Sequence, residues 1–471
     1  MSWQKQKMNC KKEKNNIGFL RFGRIKKDFL ITNENGEFLF LKPDQFKKFL
    51  GKKLGENSEL YKKLKKKNFI IQENKDIPAM AEKYRQKNFF LFKGPSLHII
   101  ITTLRCDHKC IYCQASSRGM EEKKYDMSIP IAKKTIDVIF SSPLPSLSIE
   151  LQGGEPLANW RTVKFIIEYS QKKSEKTKKR LTISLVSNFS LMDEKKYDFL
   201  VKNKVSLCTS LDGPEELHNK NRICKAKNSY QNTVKWIKRN EKISALTTIS
   251  RNSLNYPKEI IEEYLKWGLK EIHLRPLSYL GLSQKMRKII GYSAEEFFEF
   301  WKKAMDNIIK NNIKGKKIKE RGTKIILQKI LNPQDPDFLD LRSPCGAGTG
   351  QLLYNYDGKV YTCDEGRMTG DDTFLIGNVK KDNYEKIVLH PTVKAVCIAS
   401  LLENLPCDQC VYKPYCGVCP VQNYVLYKNI FPQLANSERC ILQKKIFQYI
   451  FEGLRDKKIE KIFKSWIKKW G

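Results

Sequence analysis

The chain has 471 residues, of which 41% are apolar, and this length and composition allow about three domains with sizeable cores. Its formal net charge is +37, from 88 basic and 51 acidic residues, and such a charge attracts acidic peptides, nucleic acid or a membrane surface. Because the lysines are scattered along the whole sequence, the simpler explanation is that lysine is the common solvated residue. Among specific partners we expect an acidic peptide and do not expect nucleic acid.

Two features indicate the compartment. No stretch reaches the ~18 uninterrupted apolar residues of a membrane span, and the N-terminus lacks the apolar segment of a secretory signal. We therefore expect a cytoplasmic protein without a membrane span. In a reducing compartment, 14 cysteines indicate metal binding rather than disulfide bonds.

Residues 17–80 predict a small α+β unit at the N-terminal end, with strands joined by a turn at Asn33–Gly36 and followed by short helices. From residue 97, β-rich stretches alternate with amphipathic helical ones. This alternation predicts βαβ units with a parallel sheet, and six strongly apolar strands predict an open or incomplete α/β barrel. Ser128 is a candidate N-cap for a helix over 128–140, and a later helix is predicted over 257–267. The predicted strands are 96–104, 146–152, 181–187, 205–211, 243–249 and 270–276.

Polar, glycine-rich or cysteine-rich residues follow each predicted strand. In parallel α/β folds, ligands bind in the loops after the carboxyl ends of the strands. The sequence therefore predicts one functional site assembled from these loops, which are 106–113, 153–156, 187–190, 212–214, 250–253 and 275–278.

The first of these loops holds Cys106, Cys110 and Cys113 within eight positions. Three thiolates on a short loop can bind three irons of a cubane cluster and leave the fourth iron open. A structural zinc site would need a fourth ligand, and a nearby one is not evident in the sequence. Tyr112 is an aromatic residue that could pack beside a bound ligand, and His108 is expected to shape the loop or to face solvent.

The spacing Cys-x3-Cys-x2-Cys directly after the first barrel strand resembles that of the radical S-adenosylmethionine (SAM) enzymes. The resemblance implies a partial (β/α)6 TIM-type barrel. It also implies that Cys106, Cys110 and Cys113 bind a [4Fe–4S] cluster whose open iron binds the amino and carboxylate groups of SAM. Cleavage of SAM in that family gives a 5′-deoxyadenosyl radical, which abstracts a hydrogen atom from the substrate.

Other loops agree with this resemblance. The sequence "GGEP" at Gly153, Gly154 and Glu155 resembles the Gly-Gly-Glu motif of the family, in which glycine permits close backbone approach and the carboxylate accepts from the SAM ammonium group. Arg222 resembles the arginine that pairs with the SAM carboxylate, although a structural role is equally open. Four more residues could contact the ribose or methionyl part of SAM, or could serve only as turn and capping residues: Ser187, Asn188, Ser210 and Asp212.

Residues 345–440 contain eight cysteines. Two Cys-x2-Cys pairs alone would suggest a zinc ribbon, but the whole pattern resembles the SPASM extension of radical SAM peptide-modifying enzymes, which binds two auxiliary [4Fe–4S] clusters. The resemblance implies a first cluster on Cys345, Cys363 and Cys419. It implies a second cluster on Cys407, Cys410, Cys416 and Cys440.

Two departures from the SPASM pattern concern the ligands. The interval before Cys419 is x2, where the family usually has x3, and no fourth ligand lies between Cys345 and Cys363. The first auxiliary site is therefore either open or completed by Cys397, which could equally be a buried core thiol. Asp364 directly follows Cys363, and in sulfatase-maturing relatives an aspartate at this place is a general base. Asp364 is thus a candidate to take the proton lost as the substrate is oxidised, or only a hydrogen-bond acceptor near the cluster.

We predict four parts of the chain. Residues 1–90 form an N-terminal α+β region that resembles the leader-peptide recognition elements of peptide-modifying enzymes, or else a scaffold that covers the barrel. Residues 91–335 form the radical SAM barrel, residues 336–445 the SPASM domain, and residues 446–471 a basic C-terminal helix. The helical stretch over 441–470 is expected to break near Gly453.

Several stretches, among them "SIELQGGEPLANW" and "CDQCVYKPYCGVCPVQNY", look most similar to the B-type radical SAM maturase of His-Xaa-Ser peptide systems. This implies an oxidoreductase that modifies a ribosomally made peptide or small protein while the auxiliary clusters accept electrons. It also implies an external electron donor of the flavodoxin or ferredoxin type, and it leaves open a second radical SAM maturase as a partner. The alternatives are sulfatase maturation to formylglycine, RNA modification and, outside enzymes, a zinc-stabilised nucleic-acid-binding protein.

Overall fold

The computed structural model describes residues 16–433 and 437–468. The predicted N-terminal region 1–90 is therefore described from residue 16 onward, and the predicted C-terminal helix 446–471 is described as far as residue 468. Cys10, which fits no cysteine pattern, lies outside the described residues.

The N-terminal module, residues 16–92, is built around a three-stranded antiparallel sheet in the order β2-β3-β4. The predicted turn is present, since the Gly36 amide donates to the Asn33 carbonyl over 2.9 Å and Gly36 has a φ of +73°, which favours glycine. Phe49 and Leu64 from the two short helices are buried against the sheet. The elements are β1 (Asn16–Ile17), β2 (Arg21–Ile25), β3 (Asp28–Thr32), β4 (Phe38–Leu41), α1 (Pro43–Leu50), α2 (Glu59–Lys66), β5 (Ile70–Ile71) and α3 (Glu73–Lys87).

The barrel follows, and its six main strands are parallel and adjacent in the chain order β6-β8-β9-β10-β12-β14. The predicted partial (β/α)6 barrel is therefore confirmed. Its elements are β6 (Leu97–Thr103), β7 (His108–Cys110), α4 (Ile129–Phe140), β8 (Ser146–Gly153), α5 (Trp160–Thr177), β9 (Arg180–Val186), α6 (Glu194–Lys202), β10 (Ser206–Ser210), α7 (Glu215–Asn221), β11 (Arg222–Cys224), α8 (Ser229–Arg239), β12 (Ser244–Thr248), α9 (Pro257–Lys266), β13 (Glu271–Ile272), β14 (Leu274–Arg275), α10 (Arg287–Ile290), α11 (Ala294–Ile313), β15 (Lys319–Glu320) and α12 (Arg321–Leu331).

The two sides of β8 show why this sheet forms a barrel. Leu147, Ile149 and Leu151 are buried in the core shared with the surrounding helices. Ser148 and Glu150, which alternate with them, are only partly buried. Because successive side chains of a strand point to opposite faces, one face of the sheet packs on helices and the other forms a polar interior.

Two local predictions differ from the structure. The strand predicted over 270–276 is divided into β13 and β14, and β13 pairs with β15 rather than with the barrel strand β12. Ser128 does occupy the N-cap of α4, but its side chain makes no capping hydrogen bond. A proline in the first turn of α4 presets the helical φ instead.

The cysteine-rich region continues the barrel sheet, which the sequence analysis did not predict. Its first strand, β16, pairs in parallel with β6, so that Gln351 lies beside Leu97 and Tyr354 beside Ile100. The next two strands, β17 and β18, add antiparallel and complete a nine-stranded sheet. The elements of this region are β16 (Gln351–Tyr354), β17 (Lys359–Tyr361), α13 (Asp364–Met368), β18 (Leu375–Asn378), α14 (Tyr384–Val388), α15 (Pro391–Ala399), α16 (Pro420–Tyr427), α17 (Glu438–Gly453) and α18 (Lys457–Ile467).

The C-terminal helices α17 and α18 break where the sequence predicts, after Gly453. A Cβ atom at Gly453 would lie 2.6 Å from the Phe463 ring, so glycine allows the two helices to pack closely. Phe447 and Trp466 are fully buried, which fixes both helices on the body of the protein. Among the helices that the structure describes, none is long and apolar enough to cross a membrane.

Candidate metal centre

The three-cysteine loop begins directly after β6, at the carboxyl end of the parallel sheet. Its middle segment, β7, pairs antiparallel with β11, so that Cys110 lies opposite Arg222. The Cys106 amide donates to the Arg118 carbonyl over 3.0 Å, and the Ile111 amide donates to the Asn221 carbonyl over 3.0 Å. Backbone pairing at both ends therefore holds the three cysteines in place.

The three thiols influence one another electrostatically. Burial raises the pKa of Cys106 above its ordinary range, and nearby Glu155 and Cys110 raise it further. Burial raises the pKa of Cys110 to about 11, with Arg222 lowering it and Cys113 raising it. Because burial disfavours the thiolates, a bound cation must supply the charge that stabilises them. A partly buried set of three sulfur donors on one loop fits an iron–sulfur cluster in this respect.

Arg105 holds the start of the three-cysteine loop, and the sequence did not indicate this role. Its guanidinium forms a salt bridge with Asp126 over 2.7 Å and donates to the carbonyls of Met120 and Ala158 over 2.9 and 2.7 Å. Thr103, the last residue of β6, also donates to Asp126, over 2.6 Å. Since Arg105 is buried and precedes Cys106, this network positions the first thiol.

Gly153 and Gly154 lie against the start of the cysteine loop. A Cβ atom at Gly153 would lie 2.1 Å from the Thr103 carbonyl oxygen, and one at Gly154 would lie 2.4 Å from the Arg105 carbonyl oxygen. The Gly154 amide donates to the Thr103 carbonyl over 2.9 Å. The close approach that these glycines permit is therefore, first of all, to the protein's own backbone.

Glu155 is fully buried between the ends of β8 and β9. Its carboxylate accepts from the Ser187 hydroxyl over 2.7 Å, the Asn188 amide over 2.8 Å and the Leu157 amide over 3.0 Å. Burial raises its pKa to about 7, against the effect of these hydrogen bonds. The structure thus brings the predicted residues Glu155, Ser187 and Asn188 together beside Cys106.

His108 does not face solvent, which corrects one of the two roles expected for it. It is 2% exposed, and its ring nitrogens lie 3.0 Å from the Asp107 carboxylate and 2.9 Å from the Ser229 hydroxyl. The Asn188 side-chain amide lies 3.0 Å from the same Asp107 oxygen and 3.8 Å from the Cys106 sulfur. His108 therefore shapes the loop, and the side chain of Asn188, from the loop after β9, is directed at the first thiol.

Tyr112, Asp212 and Arg222 form one hydrogen-bonded network on the other side of the loop. The Tyr112 hydroxyl donates to Asp212 and accepts from Arg222 over 2.9 Å. Burial raises the pKa of Asp212, while Arg222 lowers it. Ser210, by contrast, ends β10 beside Leu246 and is partly exposed. The structure therefore brings together three of these four predicted residues.

The cysteines of the C-terminal region form two groups. In the first, Cys345, Cys363 and Cys419 share one buried cluster. Burial raises the pKa of Cys345 to about 12. It raises the pKa of Cys363 and Cys419 well above the ordinary range, and the neighbouring thiols of this group contribute. The Gly366 amide donates to the Cys363 sulfur over 3.2 Å, so this thiol also caps α13.

The second group contains the other four predicted ligands. Burial raises the pKa of Cys407 to about 12, and Cys416, Cys410 and Cys440 raise it further. Burial also raises the pKa of Cys416 to about 11. All four thiols are partly exposed. The structure thus brings together the residues that the sequence divides into two sets of three and four.

Three other cysteines lie apart from these sets. Burial is the cause that raises the pKa of Cys397 on α15, without a contribution from the thiols of either group. Cys397 is partly exposed and packs against the main core. Cys208 is the middle residue of β10 and is partly exposed. Cys224 is the last residue of β11 and is buried.

Asp364 opens α13 beside the first group of thiols and is partly buried. Two carboxyl groups near it were missed by sequence reasoning. Burial raises the pKa of Glu365 well above its ordinary range, with repulsion from Asp364 and Asp340 adding to the effect. Arg367, on the same helix, donates to the Ala115 carbonyl over 3.1 Å. This contact joins the cysteine-rich region directly to the three-cysteine loop.

Comparisons with known proteins agree with this geometry. Residues 100–249, from β6 to just after β12, match the family model of the radical SAM superfamily. The barrel therefore has the radical SAM fold, and the match to the superfamily lies within it. The cofactors of that superfamily are a [4Fe–4S] cluster and SAM.

Among named relatives, the radical SAM cyclopropyl synthase TigE of Paramaledivibacter caminithermalis is 23% identical over 470 residues, which cover 92% of this chain and 88% of the relative. The cysteine-type anaerobic sulfatase-maturating enzyme of Clostridium perfringens is 25% identical over 348 residues, which cover 69% of this chain and 89% of the relative. At these identities the protein is only distantly similar in sequence to both relatives.

Two solved structures show the same fold. The structure of native anSMEcpe with bound AdoMet has a TM-score of 0.65 at 19% identity and covers 78% of this chain and 99% of that chain. Streptococcus suis SuiB bound to its precursor peptide SuiA has a TM-score of 0.53 at 15% identity and covers 88% of this chain and 98% of that chain.

Proposed function

We propose that the protein is a radical SAM maturase that modifies a ribosomally made peptide or small protein of the His-Xaa-Ser type. The observation that carries this proposal is the position of Cys106, Cys110 and Cys113 at the carboxyl end of a parallel barrel, joined through Arg367 to a region with two further groups of thiols. When bound, the cluster on this loop and SAM would supply a 5′-deoxyadenosyl radical for hydrogen-atom abstraction.

The residues around the loop have distinct tasks in this proposal. Glu155, held by Ser187 and Asn188, presents a buried acceptor to the ammonium group of SAM. Arg222, held by Tyr112, presents a cation to the SAM carboxylate. The buried surroundings exclude water, which protects a reactive species from side reactions.

The two groups of thiols in the C-terminal region would bind auxiliary [4Fe–4S] clusters that accept electrons as the substrate is oxidised. Cys345, Cys363 and Cys419 supply three ligands, and the second group supplies four. Asp364 is proposed as the group that takes the substrate proton, because it lies beside the first group of thiols and is only partly buried.

Two observations favour peptide modification over sulfatase maturation. The matches to TigE and to SuiB, whose partner in the solved structure is a precursor peptide, span 92% and 88% of this chain. The part of the chain outside these matches is shorter than the N-terminal module, so the matches must include at least part of that module. The match to the sulfatase-maturating enzyme spans 69% of this chain, and the structural match to anSMEcpe spans 78%. An N-terminal module shared with peptide-modifying proteins therefore supports a peptide substrate.

The N-terminal module is proposed to bind the leader segment of that peptide. Its sheet order leaves β2 and β4 as edge strands, and an extended peptide can add to a free strand edge. The module is also fixed to the cysteine-rich region, since the Thr32 hydroxyl donates to the Val411 carbonyl over 2.8 Å and Arg21 pairs with Asp408 over 3.0 Å. A leader bound there would be held at a fixed distance from the thiols.

The decisive experiment is anaerobic. We expect the purified protein to contain about twelve irons, four for each of three cubane clusters, and to form 5′-deoxyadenosine from SAM and dithionite. Coexpression with a peptide carrying His-Xaa-Ser repeats should remove hydrogen from that peptide, as measured by mass spectrometry. Serine substitution of Cys106, Cys110 and Cys113 together should abolish both reactions.

Cys208→Ser is the matched control, because Cys208 belongs to none of the three groups of thiols. It should retain both reactions. Formation of 5′-deoxyadenosine by the triple variant, or zinc without iron in the purified protein, would refute the proposal.

Sulfatase maturation remains the second candidate, favoured by the TM-score of 0.65 with anSMEcpe and by the sulfatase-maturating relative. A synthetic sulfatase peptide with a cysteine at its maturation site separates the two functions. Conversion of that cysteine to formylglycine, with no change in the His-Xaa-Ser peptide, would favour the second candidate.

A further inference from the structure

A cavity of about 510 Å³ lies between the barrel and the cysteine-rich region. This volume is within the range of about 300–1,000 Å³ that is usual for ligand pockets. The loop after β14 forms one side of it, and α11, α16 and α17 form the others. We call it the β14 cavity.

The β14 cavity lies close to two of the proposed cluster sites. The Ser283 amide, just after the β14 loop, donates to the Cys113 carbonyl over 3.1 Å. Leu280 lines the cavity and also packs in the same buried cluster as Cys345 and Cys363. An occupant of the cavity would therefore lie beside both the three-cysteine loop and the first group of C-terminal thiols.

One wall of the β14 cavity is apolar and rich in aromatic rings. Tyr292 and Phe297 stack with their centroids 5.6 Å apart, and Trp301 packs edge-on against Tyr449. Leu442 on α17 completes this side. Such a wall gains free energy by removing a large apolar side chain from water.

Another part of the lining is polar and incomplete. The Ser278 hydroxyl and the Gln443 Oε1 atom are both buried, and neither has a hydrogen-bond partner among the described residues. Both residues line the β14 cavity. Leaving such atoms unpaired is costly, whereas a peptide N–H group in the cavity could donate to Gln443.

The lining of the β14 cavity carries charged groups of both signs, so it does not favour the binding of a polyanion. Arg439 donates to the Asp340 backbone carbonyl over 3.0 Å, and its charge lowers the pKa of the Asp340 carboxyl, which burial raises. Glu438 accepts from the Ala294 amide at the start of α11. The net charge of +37 is therefore not concentrated here, and the cavity does not have the basic lining that a nucleic acid requires.

We infer that the β14 cavity binds one residue of the peptide substrate that has a bulky apolar side chain. The side chain packs against Phe297, Trp301 and Leu442, and the backbone amide of the same residue donates to Gln443 Oε1. This inference rests on the proposed function in taking a peptide as the substrate. It identifies α17 and the β14 loop as determinants of which residue is presented to the chemistry.

The test uses the purified holoenzyme and two capped amino acids, N-acetyl-phenylalaninamide and N-acetyl-aspartamide, as probes in saturation-transfer NMR titrations. We expect saturable binding of the phenylalanine probe and at least roughly tenfold weaker binding of the aspartate probe. Leu442→Trp fills the cavity and should weaken binding of the phenylalanine probe by about tenfold or more. Gln448→Trp, at an exposed position on the same helix, is the matched control and should bind it as the wild type does.

A second variant guards against misfolding of Leu442→Trp. Gln443→Leu removes the unpaired oxygen while keeping a similar volume, so it should leave the melting temperature unchanged or raised. It should still bind the phenylalanine probe less tightly than the wild type does, because the amide acceptor is gone. An unchanged affinity in Gln443→Leu and Leu442→Trp, no saturable binding by the wild type, or equal binding of the two probes would each overturn the inference.

These outcomes are separate from those of the proposed function. Absence of 5′-deoxyadenosine from the wild-type protein would overturn the proposed function without changing the probe titrations. Failure of the titrations would remove the β14 cavity as the substrate-residue site and leave radical SAM chemistry untouched.

Discussion

The three-cysteine loop of the barrel and the cysteine-rich C-terminal region position their thiols in different ways. The loop holds three thiols within eight positions, and backbone pairing with β11 orders it locally. The C-terminal region gathers seven thiols from almost one hundred residues, and long-range packing forms the two groups that the resemblance to SPASM domains implies. A local motif can therefore be recognised from its spacing, whereas the C-terminal groups depend on long-range packing.

Burial also differs between the two C-terminal groups. Cys345, Cys363 and Cys419 are buried and lie next to the β14 cavity, whereas the four thiols of the second group are partly exposed. The second group is packed against the N-terminal module, where the Tyr415 hydroxyl donates to the Gly36 carbonyl over 2.9 Å. The inner group thus lies near the proposed substrate cavity, and the outer group lies near solvent and the proposed leader site.

The largest expected effect separates the barrel loop from the C-terminal region. Cys110→Ala should lower 5′-deoxyadenosine formation by roughly a thousandfold or more, because one of the three proposed cluster ligands is lost. Cys440→Ala should instead reduce the iron content by up to about four atoms per chain and stop peptide modification, while SAM cleavage persists. Anaerobic iron analysis and product chromatography measure both. Equal loss of SAM cleavage in the two variants would contradict the separate roles given to the barrel loop and the C-terminal thiols.

The next effect concerns what holds the barrel loop. Arg105→Met removes the cationic partner of the Asp126 carboxylate, and breaking a buried ion pair costs about 3–5 kcal/mol. Asp126 is partly exposed, so we expect the lower end of that range. Urea unfolding would measure this loss, and Lys258→Met, which removes an exposed pair with Glu262 over 3.4 Å, is the control with little expected effect. Similar losses in both variants would contradict the role given to Arg105.

A comparable loss of stability is expected at the glycines that contact the loop. Gly154→Ala should destabilise the protein by about 3 kcal/mol, because its Cβ atom would lie 2.4 Å from a backbone oxygen that cannot move freely. Gly55→Ala is the matched control, since nothing lies within 4 Å of a Cβ atom there. Thermal unfolding of both variants measures the difference. A stable Gly154→Ala would show that the contact between β8 and the loop is looser than the structure has it.

The smallest expected effect tests the junction of the barrel with the C-terminal region. His98 on β6 is fully buried 3.2 Å from the Tyr354 hydroxyl on β16, and burial lowers its pKa from 6.5 to about 3. Between these values the unfolded chain binds a proton that the folded protein does not. The contribution of neutral His98 to stability is therefore present above pH 6.5 and is lost as the pH falls. The free energy of unfolding should fall by about 2 kcal/mol between pH 7 and pH 5.

His98→Leu should remove that part of the pH dependence, as urea unfolding at pH 5 and pH 7 would measure. Lys133→Leu, on the exposed face of α4, changes a charge away from this junction and should leave the pH dependence as it is. A wild-type slope retained in His98→Leu would show that His98 is not the group responsible.

Much of the barrel could be predicted because its signals are local. The strand predicted over 146–152 is observed at Ser146–Gly153, and the helix predicted over 257–267 is observed at Pro257–Lys266. The break after Gly453 was also predicted. The division of the last predicted strand into β13 and β14 was not, because it arises from pairing with β15, some fifty residues later in the chain.

The sequence by itself determined the barrel, the loop with Cys106, Cys110 and Cys113, and the candidate polar residues at the strand ends, since periodicity and spacing act over a few residues. Only the tertiary structure decided that β16 joins the barrel sheet and that Tyr112, Asp212 and Arg222 bond to one another. It also decided that polar atoms of Ser278 and Gln443 line one cavity with no partner in the part of the chain that the structure describes. These features depend on contacts between distant segments, and such contacts are fixed by packing and burial rather than by any local pattern.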